Sequence, residues 1–289
     1  MAVAVQEAVR DGAPSAAPPA DGVPAPSRRR WGPRRGLETL LVYLVMPVGL
    51  LALWQIASDL GWISAYLLPP PSRAATGFWE IATDGTLWLH VKASLFRSIA
   101  GFLIATSIAV PLGVLVGWSP LFRRLSHITL LLLIPIPITA WISIAIVWFG
   151  IGDASAVFLV ALGAAVPILI NTIHGVEWVE PIYIEAARML GTGPRQILWR
   201  IVLPAALPNI FTGLRLGLRN SWAGLVVAEM IGAKSGVGYL IWDARLMMRS
   251  DLVIVGMMMV GVLGLVSDQT MSWLGHRLLR WHEGLSRND

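Results

Sequence analysis

The residues that could carry out chemistry are few in this chain, and their spacing does not describe a catalytic site. The 289 residues include no cysteine, which excludes thiol catalysis, disulfides and thiolate metal sites. Five histidines are scattered along the sequence, and His127 and His174 have no second ligand at metal-binding spacing, which favours interfacial anchoring. The segment 230–235, MIGAKS, lacks the Gly-x4-Gly-Lys frame of a phosphate-binding loop. We therefore predict no enzyme, no metal site, no cofactor and no ATP hydrolysis by this chain.

Charged residues inside long apolar runs are costly, and three of them, Arg215, Arg219 and Glu229, are candidates for function. Arg215 and Arg219 are four residues apart and share one helix face. An ionised side chain at mid-bilayer costs roughly 2.5–3.5 kcal/mol, so both should face the protein interior or a wet cavity. They would either line a path and attract an anion, or anchor the inner connection over residues 174–205 to the bundle. We favour the structural role for Arg215 and leave both roles open for Arg219.

We count Glu229 as the one acidic residue well inside a predicted span. It lies ten residues beyond Arg219. That separation is about 15 Å along a helix, too far for a direct ion pair with Arg219. Glu229 would either bond to the following turn at residues 235–238 or gate the exit of a path. We favour the structural role.

Composition places these charges in a membrane protein. The chain is 56% hydrophobic and 13% charged, with a mean hydropathy of +0.68, whereas soluble domains carry about 25% charged residues. A helical span needs about 20 apolar residues, and prolines inside it are tolerated when neighbouring helices satisfy the freed carbonyls. Six runs are long enough: 39–57, 92–117, 126–149, 155–173, 206–231 and 252–275. We predict an all-α membrane protein with about six transmembrane helices.

The distribution of basic residues predicts the orientation. Of the 22 basic residues, fourteen fall in the segments that would face inward and four in those that would face outward. This bias places both termini in the cytoplasm. The net charge of +5 does not indicate nucleic-acid binding, because the arginines cluster beside the first span rather than over a folded domain.

Local composition divides the chain into four parts. The Ala- and Pro-rich amino terminus is predicted to be disordered. The predicted parts are a disordered cytoplasmic tail (1–36), a first transmembrane helix (37–64), a main membrane region (65–283) and a cytoplasmic tail (284–289). Between the first two spans, a helix that starts near Pro71 and carries Phe78, Trp79 and Ile81 would lie on the membrane surface or cap the bundle.

Two small-x3-small patterns, Gly113 with Gly117 and Gly213 with Gly217, predict close helix contact. We place these contacts inside the bundle rather than at a dimer face.

The inner connection over residues 174–205, here called the coupling loop, carries the strongest motif. It is too long for a tight turn. A helix that begins at Pro181 is broken by the Gly-Thr-Gly-Pro sequence at 191–194, so two cytoplasmic helices are expected. Glu185 and Arg188 offer exposed charge, and small residues would allow another protein to approach. The residues alone leave two uses open, a docking surface and a structural elbow.

The motif itself reads Glu-Ala-Ala, three residues, Gly, nine residues, then Ile-Val-Leu-Pro. It resembles the EAA loop in permease subunits of bacterial ABC importers, in which the loop inserts into a cleft of the ATP-hydrolysing subunit. The resemblance implies ATPase-coupling roles for Glu185, Ala186, Ala187, Gly191, Leu203 and Pro204.

The resemblance extends over about residues 65–283, which it implies form the permease domain. It is strongest to the branch that transports aliphatic sulfonates, taurine and nitrate, and within that branch to the aliphatic sulfonate permeases. It implies a type I ABC importer permease in the bacterial inner membrane. Its partners would be two cytoplasmic ATP-binding subunits, a periplasmic solute-binding protein and a second copy of the chain. The segments that carry it are Gly85, Leu87-Trp88, His90, Ser94, Arg97, Gly101-Phe102, 148–151, 158–163, Ala228-Glu229 and 235–240.

Other functions stay open at this point. An ion-coupled secondary transporter would show inverted repeats and buried carboxylates, and no second half resembling the first is visible. A permease for another small nutrient, such as a vitamin precursor, and a membrane scaffold without transport are the remaining alternatives.

Overall fold

The computed structural model describes the backbone of residues 34–64 and 66–279, with side chains from residue 43 onward. The tail predicted at 1–36 lies almost wholly outside the described residues, and the tail predicted at 284–289 lies wholly outside them. The chain divides into two units, residues 1–51 and 52–289. The features below belong to the second unit, unless the first helix, Arg34–Asp59, is named.

The part of the chain that the structure describes is helical and contains no strand, which confirms the predicted all-α class. A 3-10 turn at 138–141 precedes the helix Ile142–Phe149, and a π-helical turn at 198–202 joins the helix Pro194–Ile197 to the helix Leu203–Gly232. The helices are α1 (Arg34–Asp59), α2 (Pro71–Thr83), α3 (Thr86–Trp118), α4 (Pro120–Leu133), α5 (Ile142–Phe149), α6 (Asp153–Glu177), α7 (Pro181–Met189), α8 (Pro194–Ile197), α9 (Leu203–Gly232), α10 (Val237–Leu246) and α11 (Ser250–Leu278).

Within the described residues, four helices are long and apolar enough to cross a membrane, or five if one bent pair is a single span. The four are α3, α6, the combined α8–α9 helix and α11, and they match four of the six predicted runs. The first predicted span, 39–57, begins among residues whose side chains are not described. Its described part is the shorter apolar helix Tyr43–Asp59.

The run predicted as one span over 126–149 is instead broken. Helix α4 and the segment Ile138–Phe149 meet at an angle of 88°. Pro135 and Pro137 have no N–H, so the carbonyls of Leu131 and Leu133 lose the donors that a continuous helix would supply. We call the break at residues 134–137 the elbow.

The centre of the bundle is α6, which packs closely against both α3 and α9 around a shared core. A Cβ on Gly113 of α3 would lie 2.6 Å from Cβ of Thr172, and a Cβ on Gly217 of α9 would lie 2.8 Å from the carbonyl oxygen of Ala164. Both glycines therefore permit backbones to approach more closely than any larger residue would allow. The prediction that these patterns serve contacts inside the bundle is confirmed.

Helix α2 is a packed cap, one of the two alternatives predicted for it. Ala74 and Ile81 are buried against α10 and α11, while Trp79 remains exposed. The guanidinium of Arg249 donates to both carboxylate oxygens of Glu80, at 2.8 and 2.7 Å. These bonds lower the pKa of Glu80 below its ordinary value and raise that of Arg249.

The close packing of α9 on α6 predicts that Gly217→Ala destabilises the protein. The added methyl group meets a backbone oxygen that has no room to move, and overpacking of this kind costs about 1–3 kcal/mol. The matched control is Gly261→Ala in α11, where no atom lies within 4 Å of the new Cβ. Both changes raise helix propensity by about 1 kcal/mol, so their difference isolates the contact. Apparent melting temperatures in one detergent measure it, and equal values for the two variants would contradict the packing.

Candidate coupling surface and charged clusters within the bundle

Helix α7 begins with proline at its first position and ends in a glycine cap. Pro181 suits a position where the N–H has no helical acceptor. At the other end, Thr192 N–H donates to the Ala187 carbonyl and Gly191 N–H to the Arg188 carbonyl, both at 3.0 Å. This is a Schellman cap, and its glycine has φ +76°, which other residues rarely adopt. The Gly191 of the motif therefore fixes where α7 stops.

The Glu-Ala-Ala motif does not present all its residues on one surface. Glu185, Ala186 and Arg188 are exposed, as expected. Ala187 is only 6% exposed and packs with Ile197 and others in the cluster beneath α7. The expectation that Ala187 offers a surface to another protein is therefore wrong, because it lies on the helix face turned toward the bundle.

Large apolar side chains are uncovered on and beside α7, and we did not anticipate them from the sequence. Met189 is 88% and Leu190 is 85% exposed, and Trp178, Ile182 and Tyr183 are also exposed. Apolar patches of this kind on a folded chain mark sites of protein contact. The pattern was visible in the sequence as large apolar residues next to Glu185 and Arg188. We call the exposed residues of 178–190 the α7 surface.

Beneath the α7 surface, one apolar cluster joins α7 to the spans. It contains Val176 of α6, Ala187 of α7, Val202 and Ala206 near the start of α9, with α3 side chains packed against it. This continuous cluster links α7 to α3, α6 and α9.

An ion pair ties the same region to α4. The guanidinium of Arg123 binds the Glu177 carboxylate at 2.8 Å and also donates to the carbonyl oxygen of Gly117 at 2.6 Å. Arg123 therefore links the last turns of α3 and α6 at the base of α7.

Leu203 and Pro204, the last residues of the motif, belong to the support rather than to the exposed surface. The Leu203 N–H donates to the Leu198 carbonyl, five residues back, which defines the π-helical turn. Pro204 has no N–H to continue the ordinary ladder. Both side chains are half-buried at the junction of the coupling loop with α9.

At the opposite end of the bundle, Arg97 of α3 and Glu229 of α9 form a buried ion pair. Their side chains are 3% and 1% exposed, and Nη1 lies 2.8 Å from Oε1. Arg97 also binds Asp153 at the start of α6 at 2.6 Å. Ser94 Oγ donates to the same Glu229 carboxylate at 2.8 Å. We call this set of groups the Arg97 cluster, and it joins three spans.

The bond that we expected between Glu229 and the following turn is present. Gly238 N–H donates to Oε2 of Glu229 at 2.9 Å, and Arg97 donates to the Ser235 carbonyl at 2.6 Å. The arrangement favours the structural role of Glu229 over gating. We missed Arg97 as its partner, although an arginine inside a predicted span was a signal that a counterion is required.

Arg215 and Arg219 share one carboxylate, Asp268 of α11. Arg215 binds it at 2.7 Å and Arg219 at 3.2 Å. The sequence count that left Glu229 as the acidic residue well inside a span was therefore wrong, since Asp268 lies within the run 252–275. Arg215 links α9 to α11 and not to the coupling loop. Two guanidinium groups on one carboxylate leave this Arg215–Asp268–Arg219 cluster with a net positive charge.

Two of the histidines, His90 and His174, make contacts within the chain. His90 Nδ1 accepts from the Gly236 N–H at 3.0 Å, and His174 stacks on Trp178. In the described part of the chain, no group of three or more His, Cys, Asp and Glu side chains is placed to hold a metal ion.

The Arg97 cluster predicts that Arg97→Ala strongly destabilises the protein. Removing one partner leaves the Glu229 charge buried without compensation, which costs about 3–5 kcal/mol. Arg245→Ala is the control, because Arg245 is exposed and contacts only the ring of Trp242 at 5.4 Å among the described contacts. Thermal unfolding in detergent measures both, and a similar loss in the two variants would contradict the assignment.

Comparison with known proteins gives consistent relatives. The chain is 37% identical over 256 residues to the aliphatic sulfonates transport permease protein SsuC of Bacillus subtilis, covering 89% of this chain and 90% of that protein. It is 39% identical over 237 residues to SsuC of Escherichia coli, with 82% and 90% covered. The taurine transport system permease protein TauC of Escherichia coli is 34% identical over 238 residues, with 81% and 86% covered.

A solved structure supports the fold. A chain of the MetNI methionine ABC transporter in an inward-facing conformation matches with a TM-score of 0.56 and 23% identity, covering 67% of this chain and 96% of that chain. The family model described as binding-protein-dependent transport system inner membrane component matches residues 109–280, more than half of the 289 residues. The chain therefore belongs to the family of inner membrane permease components of binding-protein-dependent transport systems.

Proposed function

We propose that the chain is the permease subunit of an ATP-driven importer that carries a small organic or inorganic anion. The preferred substrate candidate is an aliphatic sulfonate, and taurine and nitrate are further candidates. The observation that carries this proposal is the α7 surface, where exposed apolar side chains surround the exposed Glu185 and Arg188. Apolar patches mark contacts with another protein or with the membrane, and the exposed charges among these side chains favour a protein partner.

The partner that this surface fits is a cytoplasmic ATP-binding subunit, present in two copies. We place the α7 surface and both termini in the cytoplasm, because the basic residues favour that side by fourteen to four. A second copy of the chain would complete the membrane part, and a periplasmic solute-binding protein would deliver the solute. The names of the relatives, which are permease proteins for transport of sulfonates and taurine, support these assignments.

The coupling mechanism follows from the packing beneath α7. When two ATP-binding subunits close on ATP, they would carry α7 with them. The buried cluster around Ala187 and the Arg123–Glu177 pair would pass this movement to α3, α4, α6 and α9. ATP hydrolysis would then return the spans to the inward-facing arrangement.

Selection of an anion is favoured by the Arg215–Asp268–Arg219 cluster. Its net positive charge lies in the middle of two spans, and Arg219 is 64% exposed in the single chain. Glu229 takes no direct part in this path, because it is buried in the Arg97 cluster.

A secondary transporter is less well supported. Ion coupling in such proteins uses carboxylates that can bind and release a cation or a proton. Glu229 and Asp268 lie well inside the described spans, and each is paired with arginine. A permease for a vitamin precursor or another nutrient would fit the fold but not the positive cluster or the names of the relatives.

Coupling through α7 predicts that Glu185→Arg and Gly191→Leu abolish uptake. The first reverses a charge on the docking surface, and the second places a side chain at φ +76° and disrupts the cap of α7. The measurement is ATP-dependent uptake of a radiolabelled alkanesulfonate by the complete transporter in proteoliposomes, with the amount of inserted protein determined in parallel. Asp59→Arg, at the exposed end of α1, is the charge-reversal control and should retain uptake. Transport that persists in both α7 variants would remove α7 from the coupling mechanism.

Anion attraction predicts that Arg219→Gln weakens transport of the sulfonate. Loss of one favourable charge interaction of about 1.4 kcal/mol raises KM about tenfold. Arg219→Lys keeps the charge and should lie closer to the unmodified protein. Uptake of ethanesulfonate, taurine and nitrate is measured in cells lacking the natural chain and supplied with each variant. Unchanged uptake of all three by Arg219→Gln at normal expression would exclude Arg219 from the path.

A further inference from the structure

The elbow lies near the middle of the membrane. Ile138, the residue that follows it, has its Cδ1 only 2.8 Å from where a Cβ on Gly163 would be. Gly163 is ten residues from the start of α6 and fourteen from its end, distances of about 15 and 21 Å along the helix. The break in the chain is therefore far from both membrane surfaces.

The position of the elbow is fixed by a notch between α6 and α9. Ile138 occupies the space left by Gly163 on α6 and Gly224 on α9, where a Cβ would lie 3.2 Å from its Cγ2. Asn220 of α9 donates from Nδ2 to the Gly163 carbonyl at 3.0 Å. The elbow and the Asn220 region of α9 therefore lie at the same depth.

The elbow is uncovered in the single chain. All four of its residues are exposed, with Ile136 at 40%, and Thr139 just beyond it is exposed as well. Irregular backbone at membrane depth is tolerated only where protein covers it or where it lines a water-filled cavity, because lipid offers no hydrogen bonds. Lipid is thus excluded as the neighbour of the elbow.

The face of α9 at this depth is polar and also uncovered. Thr212, Arg215, Arg219 and Asn220 are exposed along it. An arginine turned toward lipid would cost roughly 2.5–3.5 kcal/mol. A second copy packed tightly on this face would remove water from Arg219. That is costly because Arg219 shares the Asp268 carboxylate with Arg215 and its charge is incompletely paired. Water is the neighbour that satisfies both the polar face and the broken backbone.

We infer that the elbow lines the translocation path at mid-membrane, at the same depth as Asn220 and Arg219, and bounds with them the passage for the small anion. The inference rests on the proposed function, and it adds a specific wall of the path that the coupling motif does not identify. The exposed hydroxyl of Thr139 and the exposed guanidinium of Arg219 are the donors that this passage offers to an anionic group.

The absence of cysteine makes the inference directly testable. Ile136→Cys and, as a second variant, Thr139→Cys are made in the complete transporter in lipid nanodiscs. The probe is a charged, membrane-impermeant methanethiosulfonate reagent, which needs a thiolate in water to react. The matched control is Ile104→Cys on α3, where the isoleucine is 45% exposed and lies among apolar neighbours.

We expect the elbow cysteines to react about ten times faster or more than Ile104→Cys, because a thiol facing lipid stays protonated. Addition of ATP and loaded binding protein should change the rate at the elbow and not at Ile104. Rates equal to that of Ile104→Cys at both elbow positions would overturn the inference.

ATP-dependent uptake is measured on the same preparations before labelling. If uptake occurs but the elbow is unreactive, the inference fails and the proposed function stands. If the elbow reacts but no ATP-dependent uptake of any tested anion occurs, the wet elbow stands and the importer assignment fails.

Discussion

The close contact of both α3 and α9 with α6 positions the groups described above, because it holds the three spans against one another. Gly113 and Gly217 allow backbones to meet where any side chain would collide. Because lipid tails are as apolar as the side chains, packing of this kind replaces the hydrophobic effect as the force that holds spans together. The three helices form the frame, and the partner-binding and charged regions lie at its ends and on its uncovered face.

At one end of this frame the helices meet in a buried ion-pair network, and at the other they meet mainly in an apolar cluster, beside the partly exposed Arg123–Glu177 pair. The Arg97 cluster is directional and costly to break, because each buried charge depends on the other. The cluster around Ala187 is non-directional and can shift as a unit. This difference suits a protein in which α7 is driven by a partner while the opposite end keeps its internal order. The uncovered face between them carries the elbow and the positive Arg215–Asp268–Arg219 cluster.

The sequence was sufficient for features that depend on local pattern. Apolar length located four of the predicted spans, and Glu229 and Gly238, nine positions apart, are close enough in sequence for the bond to the following turn to be expected. Asp268 was also within reach, because it lies inside a predicted run. The Gly191 cap follows from the sequence as well, since glycine adopts the left-handed backbone that ends a helix.

Features that depend on three-dimensional placement could not be read from pattern. Arg97 and Glu229 are 132 residues apart, and no local signal pairs them. Pro135 and Pro137 interrupt the run predicted as one span, but the 88° angle depends on how the following segment packs, where Ile138 lies against Gly163 and Gly224. Ala187 is small and flanked by exposed residues, so its burial is known only from the cluster beneath it.

We propose that the α7 surface faces the cell interior and is held there by an ATP-binding subunit. Met189→Cys in this cysteine-free chain tests it directly, with Trp79→Cys on the cap helix α2 as the control for the opposite side. A membrane-impermeant maleimide should label Trp79→Cys in intact cells, and it should label Met189→Cys only in inside-out vesicles stripped of the ATP-binding subunit. Labelling of Met189→Cys in intact cells would contradict the account.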